Sequence, residues 1–280
     1  MISIKASSLL SAVLLLLLAC RSAGVLSTLT PTAPSPTPLP SLAPAATATP
    51  GDTGWQPVDE GLEVRSLTAE TSLGPERVAV VRLDPALFDF RVEYAPGEAR
   101  PVSVWSALTG ALLTVNAGYF TAENLVTGLT VSEGVAYGVP YGDYAGMFAV
   151  TPEGAVSLRW LRAWPYDPAE PLRSAVQSFP VLVKPGGVMG FPVDADEGLS
   201  SRRTVVAQDR AGRLLFLVAP VGRFSLHELA VWLTESDLEI DVALNLDGGT
   251  STGMWLRAPG VDVRLESYTE VPAVIAVYRR

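Results

Sequence analysis

The stretch LNLDGGTSTGM, residues 244–254, sets one carboxylate, Asp247, directly behind a segment that alternates like a β-strand. Over residues 240–247, aliphatic side chains occupy the even positions, and polar or small side chains occupy the odd positions. Because successive side chains of a strand point to opposite faces, we expect Asn245 and Asp247 to share one face. The segment therefore predicts a half-buried strand with polar groups at its end.

A turn rich in glycine and hydroxyl groups follows Asp247. Gly248 and Gly249 permit a sharp turn and a close approach to a ligand, and residues 250–252 supply three hydroxyl groups and backbone N–H donors. Asp-Gly is also a strong signal for a hairpin turn. The spacing leaves both interpretations open, a ligand-binding loop and an ordinary hairpin.

A second predicted strand ends in the same way. In ALLTVNAGYF, residues 111–120, an apolar run ends at Asn116 and is followed after a short turn by Tyr119 and Phe120. A polar side chain beside two aromatic rings is suited to forming one wall of a sugar site. The alternative is that Asn116 caps an ordinary turn and both rings lie in the core.

The N-terminal residues predict export. Residues 9–19, LLSAVLLLLLA, form an apolar run behind Lys5 that is too short to cross about 30 Å of hydrocarbon, and we assign residues 1–19 to a signal peptide. The run ends in LLAC, which resembles the lipobox of bacterial lipoproteins and predicts a lipid on Cys20. An ordinary signal peptide with an incidental Cys20 is the alternative. The prediction places the protein on the extracytoplasmic face of the membrane, in the cell envelope.

A linker and one domain account for the rest of the chain. We assign residues 20–54 to the lipidated cysteine and a linker rich in proline and threonine, which has few large apolar groups and cannot bury a core. Residues 55–280 are long enough for one domain with a buried core.

Composition excludes several classes of function. The net charge of −9 argues against nucleic acid as a partner, since no excess of basic groups exists to release counterions. Cys20 is the sole cysteine and His227 the sole histidine, which argues against disulfides, thiolate metal clusters and a zinc site. We expect no required metal; Ca²⁺ stays open, although no EF-hand spacing is present.

One catalytic motif is excluded by residue order. Gly249, Ser251 and Gly253 spell G-x-S-x-G, but the nucleophile elbow requires a histidine after its serine. His227 precedes the serine and lies near the start of a predicted helix, where we expect a solvated imidazole.

Secondary-structure signals predict a mixed α/β (α+β), β-rich fold with a central, mostly antiparallel or mixed sheet and a few helices. Turn residues between apolar runs predict antiparallel pairs over residues 77–95, 146–160 and 203–220. Residues 103–110 and 225–238 predict helices. Ser225 and Glu228 have the spacing of a capping box at the start of the second helix.

Six stretches, in order along the chain, resemble the phosphodiester glycosidase family. They are LLTVNAGYF (112–120), TGLTVSEG (127–134), QSFPVLV (177–183), RRTVVAQDRAGRLLFLV (202–218), SLHELAVWL (225–233) and ALNLDGGTSTGM (243–254). The last is similar to the family pattern N-L-D-G-G-G-S, with Thr250 in place of the third glycine. The resemblance implies a β-rich mixed α/β fold and hydrolysis of a sugar-1-phosphodiester at the glycosidic C1–O bond.

The resemblance also implies roles for particular residues. Asp247 would be the carboxylate at C1, acting as nucleophile or as base for water, because this bond cleavage builds oxocarbenium character there. Arg203 would clamp the phosphate through its bidentate guanidinium, the alternative being a structural ion pair. The predicted substrate-binding residues are Asn116, Asn245, Gly248, Gly249, Ser251 and Thr252.

Two classes of function follow from the sequence. The first is a lipid-anchored hydrolase that acts on sugar-1-phosphodiesters of cell-envelope glycans. The second is an envelope lipoprotein of the same fold that binds glycans without turning them over. Both predict a glycan or sugar-phosphate partner and attachment to the membrane through the N-terminal lipid.

The lipoprotein prediction is tested at Cys20. Changing Cys20 to Ser removes the thiol that accepts the lipid, so the variant is expected to leave the membrane fraction. Mass spectrometry of the wild-type N-terminus is the direct measurement. Cleavage at another residue, with no acyl chain, would contradict the prediction.

Overall fold

The computed structural model describes residues 51–258, 260, 261 and 263–280. The predicted signal peptide, Cys20 and the predicted linker as far as residue 50 lie outside the described residues. Within the described part of the chain, no helix is both long enough and apolar enough to span a bilayer.

Strands make up most of the regular structure. In chain order they are β1 (Gln56–Asp59), β2 (Leu62–Thr71), β3 (Gly74–Leu83), β4 (Phe88–Tyr94), β5 (Leu113–Asn116), β6 (Thr130–Ser132), β7 (Val135–Tyr137), β8 (Gly146–Val150), β9 (Val156–Trp160), β10 (Ser174–Ser178), β11 (Val181–Lys184), β12 (Val188–Met189), β13 (Ser201–Asp209), β14 (Leu214–Phe224), β15 (Ile240–Asn245), β16 (Met254–Leu256), β17 (Arg264–Leu265) and β18 (Ala273–Arg279). The α-helices of the described residues are α1 (Val102–Thr109) and α2 (Leu226–Glu235), and single 3₁₀ turns cover Val193–Ala195 and Gly249–Ser251.

The strands form three antiparallel sheets. The largest has the order β1-β2-β3-β14-β13-β15-β11-β12, and the two smaller ones have the orders β7-β6-β10-β8-β9 and β17-β16-β5-β18-β4. Every pairing between these strands is antiparallel. The predicted β-rich fold with few helices is confirmed.

One hydrophobic core joins the three sheets. Phe90 of β4, Phe148 of β8 and Phe216 of β14 come from different sheets, and all three are fully buried. Their ring centroids are 6.3 Å apart for Phe90 and Phe148 and 6.5 Å apart for Phe148 and Phe216, in edge-to-face geometry. Aromatic pairs of this geometry contribute beyond the area they bury. The three sheets therefore pack as one folding unit.

A second apolar cluster lies on the other face of the large sheet, beneath α2. Leu229, Ala230 and Leu233 of the helix pack there with Leu215 and Leu217 of β14. The predicted capping box is confirmed, since Ser225 Oγ accepts a hydrogen bond from Glu228 N at 3.2 Å and Glu228 Oε2 accepts one from Ser225 N at 2.9 Å. This cap fixes the start of α2, the helix that precedes β15.

Two of the three predicted antiparallel pairs are confirmed, β8 with β9 and β13 with β14. The third is wrong: β3 and β4, within residues 77–95, do not pair. β3 lies between β2 and β14, and β4 pairs with β18 in another sheet. Both strands bury large side chains in the same core, Leu83 from β3 and Phe90 from β4. The turn between them thus carries the chain across the core from one sheet to another.

A buried carboxylate secures the end of β14. Glu76 of β3 is fully buried, and its carboxylate accepts hydrogen bonds from the backbone N–H groups of Val221, Gly222 and Arg223 at 3.0, 2.8 and 2.8 Å. These donors lie beyond the last residue pair that β14 makes with β3, Val218 with Ala79. The Glu76 carboxylate therefore accepts the hydrogen bonds of these β14 N–H groups in place of a neighbouring strand.

Replacing Glu76 with Ala leaves three part-buried backbone N–H donors without their carboxylate partner. We expect the free energy of unfolding to fall by about 3 kcal/mol or more, measured by urea denaturation. Glu70→Ala is the matched control, because Glu70 lies at an exposed position of neighbouring β2 and should change stability by no more than about 0.5 kcal/mol. Equal effects of the two substitutions would contradict this account of Glu76.

Candidate active site

The strand predicted before Asp247 is β15, which begins soon after α2 and pairs with β13 and β11. The chain then makes the 3₁₀ turn and enters β16, which pairs with β5 and β17. The hairpin interpretation of the Asp-Gly pair is therefore wrong. Asp247 stands where the chain passes from the large sheet to a smaller one.

The side chain of Asn116 holds this crossing in place. Its Nδ2 donates to the carbonyl oxygen of Asp247 at 2.7 Å, and its Oδ1 accepts from Thr204 Oγ1 at 2.8 Å and from Gly253 N at 3.0 Å. Asn116 is fully buried. These contacts are those of a residue that supports the loop, and the predicted role of Asn116 in substrate binding stays a prediction.

The two glycines after Asp247 are required by close packing and by backbone geometry. A Cβ on Gly248 would lie 2.7 Å from the carbonyl oxygen of Arg202, so a side chain there would collide with β13. Gly249 has φ +59°, in the left-handed region that favours glycine. In the structure the close approach of Gly248 is to the protein's own backbone.

The Asp247 carboxyl group is half-buried and titrates close to neutral pH. Burial raises its pKa from the ordinary value of 3.8 to about 6, against the lowering effect of hydrogen bonds from the Ser251 side chain and the Gly248 N–H. Ser251 therefore meets Asp247 directly. Thr252 is fully buried, with its Oγ1 unpartnered among the described residues, and is thus enclosed by protein.

Arg203 comes to the same face of the large sheet from the neighbouring strand. Val205 of β13 pairs with Asn245 of β15. If this antiparallel register is continued by two residues on each strand, Arg203 lies across from Asp247. The hydrogen bonds of the Arg203 side chain go to backbone carbonyl groups and not to the Asp247 carboxyl group.

The guanidinium of Arg203 contacts backbone carbonyl groups. Its Nε donates to Phe224 O at 3.2 Å and its Nη2 to Leu199 O at 2.6 Å. Burial lowers the pKa of Arg203, with the charges of Tyr119 and Asp196 opposing. Within the part of the chain that the structure describes, Arg203 forms no ion pair, contrary to the structural alternative. Its charge is available to an anion.

Tyr119 connects the two charged residues. Burial raises its pKa well above the ordinary value; the Asp247 charge adds to the shift and the Arg203 charge opposes it. Its hydroxyl donates to Phe179 O at 2.8 Å and accepts from Asn245 Nδ2 at 2.9 Å. Tyr119 therefore belongs to the candidate site. Phe120 does not, because it packs against the separate cluster around Trp105.

Asn245 is almost fully buried and has one unused hydrogen-bonding atom. Its Nδ2 donates to Tyr119 Oη and to Phe179 O, the latter at 3.1 Å. Its Oδ1 has no hydrogen-bond partner among the described residues. Because buried polar atoms are nearly always paired, this unpaired oxygen beside Tyr119 is a candidate acceptor for a hydrogen bond from a ligand.

Three aromatic residues join this site that the sequence interpretation missed: Phe179, Tyr141 and Tyr144. The ring of Phe179 lies 4.8, 5.2 and 5.8 Å from those of Tyr119, Tyr141 and Tyr144. The pKa of Tyr141 is raised chiefly by burial, with Asp247 among the lesser causes. The signal was present in the tyrosines of residues 137–144, but only the packing on Phe179 assembles the rings into one surface.

His227 differs from its prediction. It is half-buried, and its Nδ1 lies 3.0 Å from the carbonyl oxygen of Phe191, so the imidazole is not simply solvated. As for metals, the described residues contain no group of three or more His, Cys, Asp or Glu side chains that could hold an ion.

Known proteins are similar to this chain in sequence pattern and in fold. The profile of the phosphodiester glycosidase family matches residues 109–278, and no curated protein matches the chain. The catalytic domain of zebrafish N-acetylglucosamine-1-phosphodiester alpha-N-acetylglucosaminidase, auto-inhibited by its pro-peptide, superposes with a TM-score of 0.60 at 18% identity, over 84% of this chain and 87% of that one. A hypothetical protein from Synechocystis superposes with a TM-score of 0.57 at 17% identity, over 79% of this chain. The chain spans 62% of the Synechocystis protein. At these identities the two structures establish the fold alone.

The raised pKa of Asp247 predicts a pH-dependent stability. The folded protein binds more protons than the unfolded chain between the ordinary pKa of 3.8 and about 6, so its stability falls as pH rises through that window. Asp247→Asn removes the titration, and the variant is expected to be more stable than wild type by about 1–3 kcal/mol at neutral pH. Urea unfolding at several pH values measures this. Parallel pH profiles for the two proteins would contradict it.

Proposed function

The chain belongs to the phosphodiester glycosidase family, and we propose that it hydrolyses the glycosidic C1–O bond of sugar-1-phosphodiesters in cell-envelope glycans. One observation carries the proposal: the β13–β15 pair brings Arg203, which forms no salt bridge among the described residues, beside the loop that carries the half-buried carboxyl group of Asp247. Carboxylate and cation are the two groups that this bond cleavage requires, one for the sugar carbon and one for the phosphate.

Asp247 supplies the negative charge at C1. Its pKa of about 6 means that the carboxyl group is ionised at neutral pH, and its burial makes the charge effective because little water screens it. A carboxylate in this environment stabilises the developing oxocarbenium ion, and it can attack C1 or remove a proton from water. Both of these routes are consistent with the position of Asp247.

Arg203 supplies the positive charge for the leaving phosphate. Its guanidinium is held by two neutral carbonyl groups, with the charge of Asp196 acting on it without a salt bridge, and a phosphate group matches its planar donors. A phosphomonoester leaves without full protonation. This chemistry therefore does not depend on a second carboxyl group acting as a strong acid beside Asp247.

The aromatic residues and Asn245 supply a surface for the sugar. The rings of Tyr119, Tyr141, Tyr144 and Phe179 offer apolar faces, and Tyr144 is 53% exposed. The free Oδ1 of Asn245 can accept a hydrogen bond from a sugar hydroxyl or from the attacking water. Orientation by such groups is what converts binding into a reactive geometry.

The cellular setting forms part of the proposal. The apolar run of residues 9–19 and the following Cys20 support export and attachment of a lipid at the extracytoplasmic face of the membrane. The linker of residues 20–54, rich in proline, would hold the domain away from the bilayer. Envelope glycans joined through phosphodiesters are the substrates within reach from that position.

Activity of Asp247→Asn tests the proposal. The substitution keeps the size of the side chain but removes its charge, and we expect turnover of a sugar-1-phosphodiester to fall about 10²- to 10³-fold. In the wild type, kcat/KM should rise with pH through about 6 as Asp247 ionises. Release of the sugar and of the phosphomonoester is measured across a panel of such diesters.

Asp241→Asn is the matched control. Asp241 is also on β15 and half-buried, but its Oδ1 accepts a hydrogen bond from Gly186 N at the opposite end of the strand. The control should retain turnover. Turnover near the wild-type level in Asp247→Asn would remove Asp247 from the mechanism, and glycan binding without any turnover by the wild type would favour the binding lipoprotein.

A further inference from the structure

A pocket of about 470 Å³ adjoins the aromatic residues of the candidate site. Its lining includes three large apolar rings, two cationic side chains and one tyrosine, namely Trp160, Phe179, Phe191, Arg162, Lys184 and Tyr144. Phe179 and Tyr144 belong to both the pocket and the site. None of the roles assigned above to Asp247, Arg203 or Tyr119 uses this pocket.

The pocket lies toward Arg203. One wall is formed by the segment from Gly190 to Ala195, and the same chain continues to Leu199, whose carbonyl oxygen accepts the Arg203 Nη2 donor at 2.6 Å. The opposite wall begins at Phe179, whose ring lies 4.8 Å from that of Tyr119. Asp196, the residue after Ala195, acts by its charge on Arg203, so this wall of the pocket leads toward Arg203. Because Arg203 is the proposed phosphate clamp, we assign the pocket to the leaving-group side of the sugar.

The charge of the pocket is opposite to that of the protein. Arg162 and Lys184 are cationic, the pocket lining contains no Asp or Glu, and the whole chain carries a net charge of −9. Arg162 is paired with Asp143 at 2.9 Å. Lys184, by contrast, has no acidic partner among the described residues, and it is the only lysine within residues 51–280.

The ammonium group of Lys184 lies over the ring of Trp160. Its Nζ lies 5.2 Å from the centroid of the Trp160 ring, and the Arg162 guanidinium carbon lies 5.6 Å from the same ring. Lys184 is half-buried, so its ammonium group is only partly hydrated. An ammonium beside partly exposed aromatic rings is suited to a ligand that has both an apolar ring face and a negative charge.

We propose that this pocket binds the leaving-group sugar of the substrate and selects sugars that carry a negative charge in addition to the phosphodiester. The sugar ring packs on Trp160 and Phe179, and Lys184 donates to its carboxylate or phosphate oxygens. This inference rests on the proposed function and makes it specific. Lys184 acts on the choice of leaving group, while Asp247 and Arg203 act at the bond that breaks.

The experiment compares three sugar-1-phosphodiesters in the full-length protein. Their leaving groups are a neutral hexose, a hexuronate and a hexose that bears a phosphate monoester. We expect wild type to show a KM about five- to tenfold lower for the charged leaving groups, and Lys184→Gln to abolish that difference with kcat unchanged. Lys184→Arg should retain the preference, because it keeps the charge.

The matched control is Arg77→Gln, which removes an exposed cation of β3 that is outside the pocket. It should leave all three KM values unchanged. A preference confined to the hexuronate or to the phosphorylated hexose identifies the anionic group and supports the pocket. Equal KM values for the three substrates in wild type, or an equal change of all three in Lys184→Gln, would overturn it.

Binding separates this inference from the proposed function. Titration calorimetry with free hexuronate, free hexose phosphate and free hexose measures the pocket without any reaction. Weaker binding of the anionic sugars to Lys184→Gln than to wild type supports the pocket, even if none of the diesters is hydrolysed. In that case only the proposed hydrolysis fails. Identical binding by both proteins overturns the pocket, whatever the turnover.

Discussion

The buried amide of Asn116 is the interaction on which the candidate site depends. It joins the end of β5 to Thr204 of β13, to the backbone of Asp247 and to Gly253 before β16. These segments belong to two different sheets, and no strand pairing joins β5 to β13. Since the amide is excluded from water, losing it would leave several buried groups unpaired, which costs more than the hydrogen bonds themselves contribute. The position of Asp247 is therefore fixed by the packing of two sheets.

Buried polar groups fall into two kinds in this molecule. Glu76 accepts three backbone hydrogen bonds, and Arg159, which is also buried, pairs with Glu170 at 2.8 Å, so these groups are compensated by the protein and stabilise the fold. The Asp247 carboxyl group has a raised pKa, and Arg203 has no acidic partner among the described residues. Both lie at one end of the β13–β15 pair. Charged groups that a fold leaves without a close counterion reduce stability, and their grouping is typical of a functional site.

Much of the local structure was predictable because its causes are local. The alternation of residues 240–247 predicted β15 and put Asn245 and Asp247 on one face, and Ser225 with Glu228 predicted the capping box. The separation of β3 and β4 into different sheets was not predictable in this way. An apolar run on each side of an Asp-Pro turn has the same pattern whether the two strands pair or cross the core. The outcome depends on strands elsewhere in the chain, because β3 pairs with β2 and β14 and β4 pairs with β18.

The sequence by itself determined the β-rich class, the helix with its cap, and the motif that carries Asp247, because the periodicity of side chains and the chemistry of turns act over a few residues. Only the tertiary structure decided that Asn116 supports the loop, that Phe179 gathers Tyr119, Tyr141 and Tyr144, and that Lys184 faces Trp160. The reason is physical: burial and hydrogen bonding depend on groups that meet in space after distant strands have paired. The Asp247 pKa of about 6 has the same origin, since desolvation is a property of the assembled site and not of the residues that flank it in the chain.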